Sequence, residues 1–226
     1  MCDFFPVKKL IAFNGSPRKK WNTHTLLEHA LAGAKSRDAE VELINLYDID
    51  YKGCRSCFAC KRKGARLEQC AIKDDLLPVL KKVRDCDAVL LGSPVYLGCV
   101  TGEMRSFMER LLFPYKSYDG KPSTFPKKIK SAFIYTMNIR ADELPAYGYE
   151  NFLKANERYL REVYGEAETM LVTETQQFSD YDNYEASRFD GDARKQRHET
   201  VFKEDCAKAF ELGARLVGAS QDFFGA

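Results

Sequence analysis

The alternation of short apolar runs with stretches of helical spacing constrains this chain more than any other feature. The runs occupy residues 10–13, 41–46, 88–91, 132–135 and 170–172. Each has the length of a strand and is bounded by polar or turn-forming residues. Between them, residues 23–36, 75–84 and 102–113 carry apolar side chains at helical spacing, as in Leu26, Leu27, Ala30 and Leu31. Residues 201–217 close the pattern with Phe202, Cys206, Phe210, Ala214 and Val217 along one stripe. Strands this apolar need cover on both faces, and intervening helices supply it in a doubly wound parallel α/β sheet. Five strands in the order 2-1-3-4-5 are predicted.

At 226 residues the chain suits one enlarged domain, read as spanning 1–226 without repeats or linkers. Two connections exceed what a crossover needs. One is 139–168, predicted to hold an extra helix over 149–164; the other is 175–197, which is polar and aromatic, with Tyr181, Tyr184 and Phe189. Lys and Arg total 35 against 33 Asp and Glu, a formal charge of +2. That balance argues against nucleic-acid binding driven by net charge. No stretch approaches the ~20 apolar residues of a membrane span, and the charged first ten residues lack a signal-peptide core, so a cytoplasmic chain is expected.

Two loops carry unusual chemistry. The first strand runs into Asn14, Gly15, Ser16, Pro17 and Arg18, and then into Asn22, Thr23, His24 and Thr25 at the start of a helix. A phosphate there meets unpaired backbone N–H groups and the positive end of the helix dipole. Ser16, Asn22, Thr23 and Thr25 add side-chain donors, and Arg18 adds charge. Taken singly, Asn22 or Thr23 reads as a helix cap and Ser16-Pro17 as a turn; together at one strand end they read as a phosphate site. The loop lacks both the dinucleotide glycine pattern and the nucleoside-triphosphate loop pattern, so a monophosphate fits best. The second loop, residues 93–102, follows the third strand. In this sheet order both loops flank the crevice where strand order reverses. There Pro94, Val95, Tyr96, Leu97 and Gly98 are candidates to wall a flat aromatic ring, although an ordinary turn with a Tyr at its rim fits the same residues.

Gly15-Ser16-Pro17-Arg18 with Asn22-Thr23, followed by Ser93-Pro94-Val95-Tyr96 and a glycine, resembles the NADPH-dependent FMN reductase family, in its flavodoxin-like iron–sulfur flavoprotein branch. The resemblance covers about the first half of the chain. It implies FMN, with its phosphate at Ser16, Arg18, Asn22 and Thr23 and its ring beside Pro94, Val95, Tyr96, Leu97 and Gly98. Trp21 stands where such loops often hold a small residue. Thr136-Met137-Asn138 replaces a glycine-rich turn, making Thr136 and Asn138 candidates for the third flavin loop.

Cys54, Cys57 and Cys60 form C-x2-C-x2-C, and Cys70 follows after nine residues, within a cysteine-rich insertion over about 52–75. Three thiolates at this spacing converge on one corner of a [4Fe-4S] cluster and the fourth closes it, as the resemblance also implies. Zinc held by four thiolates, or free thiols, are the alternatives. Cys2, Cys86, Cys99 and Cys206 read as small apolar fillers. Lys52, Arg55, Lys61, Arg62, Lys63 and Arg66 form a run without an acid. It reads as a solvated face, as charge offsetting a thiolate cluster, or as a contact for the 2′-phosphate of NADPH.

The expected activity is an FMN-dependent oxidoreductase. It takes hydride from NAD(P)H and passes electrons to a quinone, flavin, iron–sulfur or protein acceptor, with no catalytic side chain required. The rivals are a flavodoxin-like carrier or an iron–sulfur flavoprotein without its own nicotinamide site, and a redox sensor whose cysteines do the work. A homodimer or homotetramer is implied by the resemblance, with the 139–168 and 175–197 connections as candidates to cover a neighbour's flavin.

Overall fold

The structure, a computed structural model, describes residues 7–63, 70–121 and 123–218. Its strands are β1 Lys9–Asn14, β2 Glu40–Asn45, β3 Ala88–Tyr96, β4 Cys99–Val100, β5 Ile129–Thr136 and β6 Gly165–Val172. The helices are α1 Asn22–Lys35, α2 Leu76–Asp85, α3 Gly102–Leu112, α4 Tyr149–Tyr164, α5 Gly191–Glu199 and α6 Val201–Val217. Five strands pair in parallel in the order β2-β1-β3-β5-β6, while β4 pairs antiparallel with the end of β3. With that two-residue strand set aside, this is the predicted 2-1-3-4-5 sheet of a flavodoxin-like fold.

Alternation along the strands divides the core in two. Ile11, Phe13, Val89, Leu91, Phe133 and Tyr135 pack with α2, α3 and α4, whereas Leu10, Ala12, Ala88, Leu90, Ala132 and Ile134 pack with α1 and α6. The second layer is tight because two helices meet at glycines. A Cβ on Gly33 would lie 1.8 Å from the Phe210 carbonyl oxygen, and one on Gly213 would lie 1.7 Å from that of Ala30. Neither neighbour can move without its helix.

The structure departs from the sequence reading at several elements. The predicted loop over 93–102 is mostly a hairpin: β3 runs on to Tyr96, Leu97 and Gly98 make the turn, and β4 returns. Both turn residues have positive φ, +50° and +76°, the pattern of a two-residue turn whose twist matches the strands. Helix α4, expected as an extra element, is the crossover between β5 and β6, and β6 already begins at Gly165. That strand lies at the sheet edge and carries Glu166, Glu168 and Thr169, so only its last residues form an apolar run. Helix α5 begins within the 175–197 connection and runs two residues past it; it has no buried residue and therefore no apolar stripe to announce it. Cys86 and Cys206 are buried fillers as expected, but Cys99 is exposed on the hairpin. Cys2 and Arg66 lie outside the described residues. Among the described residues no helix is long and apolar enough to cross a membrane.

The glycine contact gives a direct test. Gly213→Ala should lower stability by about 1–3 kcal/mol through overpacking, read as a lower urea midpoint with an unchanged slope. An unaltered midpoint would contradict the close approach of α1 and α6.

Candidate functional site

From β1 the chain adds β2 on one side and then β3 on the other, so the loops leaving β1 and β3 diverge and open a crevice. Their roots are tied together. The Gly15 N–H donates to the Gly92 carbonyl at 2.8 Å, and the Thr101 hydroxyl donates to the Gly15 carbonyl at 2.7 Å. Thr101 also accepts from the Met104 N–H, capping α3.

Helix α1 begins at this crevice without a side-chain cap and with no acidic residue in its first turn. Asn22 and Thr23 are therefore not its caps. Its first N–H groups keep their capacity for an outside acceptor, next to the positive end of the helix. Ser16, Asn22, Thr23 and His24 are buried around that end. The Ser16 N–H donates to Asn14 Oδ1 at 3.0 Å, Asn14 Nδ2 donates to Asn45 Oδ1 at 2.9 Å, and the Arg18 N–H donates to Ser16 Oγ at 3.2 Å. The loop is thus pinned from beneath by a buried polar relay.

A third wall comes from after β5 and β6. The Thr23 and Thr136 hydroxyls are 2.7 Å apart. The Thr175 N–H and hydroxyl both donate to the Met137 carbonyl, at 3.0 and 3.2 Å. The next carbonyl, of Gln176, accepts from Asn22 Nδ2 at 2.7 Å and Trp21 Nε1 at 3.1 Å. Arg18 stacks 4.0 Å above the Trp21 ring and donates to the Gln177 carbonyl.

These walls enclose a cavity of about 790 Å³. Ser16, Arg18, Asn22, Thr23, Pro94, Val95, Tyr96, Leu97, Thr136 and Asn138 all line it. Thr25 and Gly98 do not. Thr25 lies farther along α1, away from its uncapped end, and Gly98 completes the hairpin turn. Sequence reasoning missed Trp21, Met137, residues 175–179 and Tyr184 as lining residues. The length and aromatic content of the 175–197 connection was the available signal, but that connection lines the cavity of its own chain where a neighbour's was expected. Arg18 is the single charged residue among those lining the cavity. Asn22 Oδ1 and Asn138 Oδ1 are buried there without a hydrogen-bond partner.

A second, smaller pocket brings together Cys54, Cys57, Cys60 and Cys70 with Phe58, Glu109, Arg110 and Phe113. Cys54 and Cys57 are exposed, whereas Cys70 is buried beneath α3. The Cys54 N–H donates to Glu109 Oε2 at 3.1 Å, and Arg110 Nε donates to Cys70 Sγ at 3.3 Å. Burial pushes the Cys60 thiol up, and hydrogen bonds from Arg110 hold the Asp74 carboxyl below its ordinary range. Among the described residues no group of three or more His, Cys, Asp or Glu is gathered to hold a metal ion. Four thiols on one pocket are nonetheless a donor set suited to a larger thiolate-held group. Of the basic run, Lys61 lies beside this pocket, donating to the carbonyls of Pro114 and Lys116 with its ammonium 4.9 Å from the Phe113 ring.

The model of the NADPH-dependent FMN reductase family matches residues 8–133, more than half of the chain. The chain belongs to this family. Relatives of this FMN reductase family chain include an iron–sulfur flavoprotein of Archaeoglobus fulgidus, 42% identical over 102 residues, covering 45% of this chain and 48% of the relative. An iron–sulfur flavoprotein of Methanocaldococcus jannaschii is 38% identical over 102 residues, covering 45% and 51%. The chain thus spans about half the length of these curated relatives. In fold it is similar to an NAD(P)H:quinone oxidoreductase from Methanothermobacter marburgensis, with a TM-score of 0.70 at 12% identity over 93% of this chain and 99% of that one. An azoreductase from Bacillus anthracis str. Sterne gives 0.63 at 15% identity over 92% and 99%. Both FMN reductase family walls that the sequence motifs supply, the loops after β1 and β3, lie within the matched span, whereas the third wall lies beyond it.

The Gln176 carbonyl should hold that third wall in place. Trp21→Phe keeps a ring under Arg18 but removes one N–H donor, a loss of about 1 kcal/mol. Amide hydrogen exchange over residues 175–179 should then quicken about fivefold; unchanged exchange would place the anchor elsewhere.

Proposed function

We propose that the cavity binds FMN and that the chain is an FMN-dependent oxidoreductase taking hydride from NAD(P)H. The observation that carries this reading is the uncapped N-terminus of α1, opening among buried hydroxyl and amide side chains into a cavity with one charged residue, a cation. A phosphate monoester is the ligand chemistry that satisfies such an end. The α1 N–H groups, Ser16, Asn22 and Thr23 would hold it, and Arg18 would balance its charge. The partnerless Asn22 and Asn138 amide oxygens leave polar capacity for donor groups of the ligand. A cavity of this size suits a flavin mononucleotide, and family membership supports the same cofactor.

The remaining walls suit the ring. Pro94, Val95, Tyr96 and Leu97 form one side, Met137 and Asn138 another, and backbone polar groups lie at its edges. These residues would orient the ring and keep water from one face, while the open mouth admits a second molecule. When bound, FMN supplies the redox chemistry, accepting hydride at N5 and passing electrons on. Among the described residues lining the cavity, Tyr96 and Tyr184 carry the titratable hydroxyls and Arg18 the charge; the reading itself asks for no side-chain acid or base, because the flavin would carry the hydride chemistry. Quinones, flavins, iron–sulfur centres and proteins are the acceptor classes proposed.

Purified protein should bind FMN at close to one per chain. Arg18→Ala and Asn22→Ala should each weaken it about 10- to 100-fold, the range for losing a charged or buried contact. Full affinity in both variants would sink the phosphate assignment. Bleaching of the bound flavin by NADPH under anaerobic conditions supports the hydride reading, whereas bleaching by dithionite alone favours an electron carrier.

The four pocket cysteines are proposed to hold a [4Fe-4S] cluster. The supporting observations are their shared pocket and the iron–sulfur flavoprotein names of the relatives. Anaerobic reconstitution should load close to four iron per chain, and Cys57→Ala should lose the iron while retaining FMN. Iron-free wild-type protein after reconstitution, with its thiols still titratable, overturns this assignment.

A further inference from the structure

Arg110 is 1% exposed and lies on the inner face of α3, where an unpaired cation would be costly. All five of its N–H groups are engaged. Nη1 and Nη2 grip both oxygens of Asp74, Nη1 also donates to the Lys52 carbonyl at 3.0 Å, and Nη2 to the Ile72 carbonyl at 3.4 Å. Only Nε remains, and it donates to Cys70 Sγ at 3.3 Å. One planar group therefore fastens the chain just before the cysteine-rich excursion and just after it. The side facing the thiols receives a single directed N–H. Lys61 plays a different part: its charge acts on Cys60, while two of its three N–H groups go to the Pro114 and Lys116 carbonyls.

We propose that Arg110 is the positioning residue of the cysteine site: it ties both ends of the excursion to α3, sets Cys70 opposite Cys54, Cys57 and Cys60, and raises the reduction potential of the group they hold. This rests on the reading that the four cysteines hold a [4Fe-4S] cluster. A hydrogen bond to a cluster sulfur stabilises the more negative, reduced state, so its removal lowers the potential. Because Asp74 neutralises the guanidinium, the directed N–H matters more than the charge. A lysine in its place keeps the charge but cannot span the excursion and point an N–H at the sulfur.

The test uses full-length protein reconstituted anaerobically with ferrous iron and sulfide, as wild type, Arg110→Lys, Arg110→Met and Asp74→Asn. FMN content serves as the folding control, because Arg110 does not line the flavin cavity. Both Arg110 variants are expected to keep FMN, to hold less than half the wild-type iron, and to show a lower midpoint potential in whatever cluster they retain. Asp74→Asn removes the balancing anion and leaves Arg110 in place, so its potential should rise. Opposite shifts at two contacting residues are not produced by general loosening. Should Arg110→Met fail to fold, Arg110→Lys and Asp74→Asn decide the matter. Wild-type iron content and potential in a folded Arg110→Lys protein overturn the proposal. Failure of the wild type itself to take up iron defeats the cluster reading, and the assignment of Arg110 falls with it.

Discussion

The site depends on where β1 sits. Its neighbours are added in opposite directions, so the loops at its end and at the end of β3 cannot pack on each other, and the space between them stays open. Two hydrogen bonds, from Gly15 to Gly92 and from Thr101 to Gly15, hold the roots of those loops together while their tips spread. Both strands are buried on each face, so the crevice is positioned by the part of the protein with least freedom to move.

The two candidate sites lie toward opposite ends of α3. Its N-terminus is capped by Thr101, which also bonds the loop beneath the larger cavity, whereas Glu109 and Arg110 near its other end contact Cys54 and Cys70. At ~1.5 Å of rise per residue, Thr101 and Arg110 are separated by roughly 13 Å along the axis. A rigid helix with both sites anchored to it fixes their separation without any direct contact between the loops.

Central strands were readable because burial on both faces leaves an unbroken apolar signature, and α4 and α6 were readable because each buries one stripe. Edge strand β6 and surface helix α5 were obscured for the converse reason. Ser93 and Pro94 read as a loop although β3 carries them to its end, where a missing proline N–H costs little. In the site, the loops after β1 and β3 declared themselves through side chains whose chemistry is local: hydroxyls, amides and a guanidinium at a helix start. Of the third wall, Thr136 and Asn138 were legible at the end of their strand, but residues 175–179 were not, because their central contribution is the backbone carbonyl of Gln176, which any residue supplies. Arg110 was equally silent. An arginine in an amphipathic helix looks like a solvated charge until the fold brings Asp74 and Cys70 to it.

The same carbonyl has a consequence for the order in which the protein becomes competent. Asn22 and Trp21 leave the ribosome about 150 residues before the group that fixes them, at the rate of ~5–20 residues per second. For roughly 8 to 30 seconds a nascent chain therefore carries the helix end that would receive a phosphate but lacks the wall that closes the cavity around it. Closure of the cavity belongs to the finished sheet, so a ligand gripped by all three walls would hold only a chain in which β6 has docked.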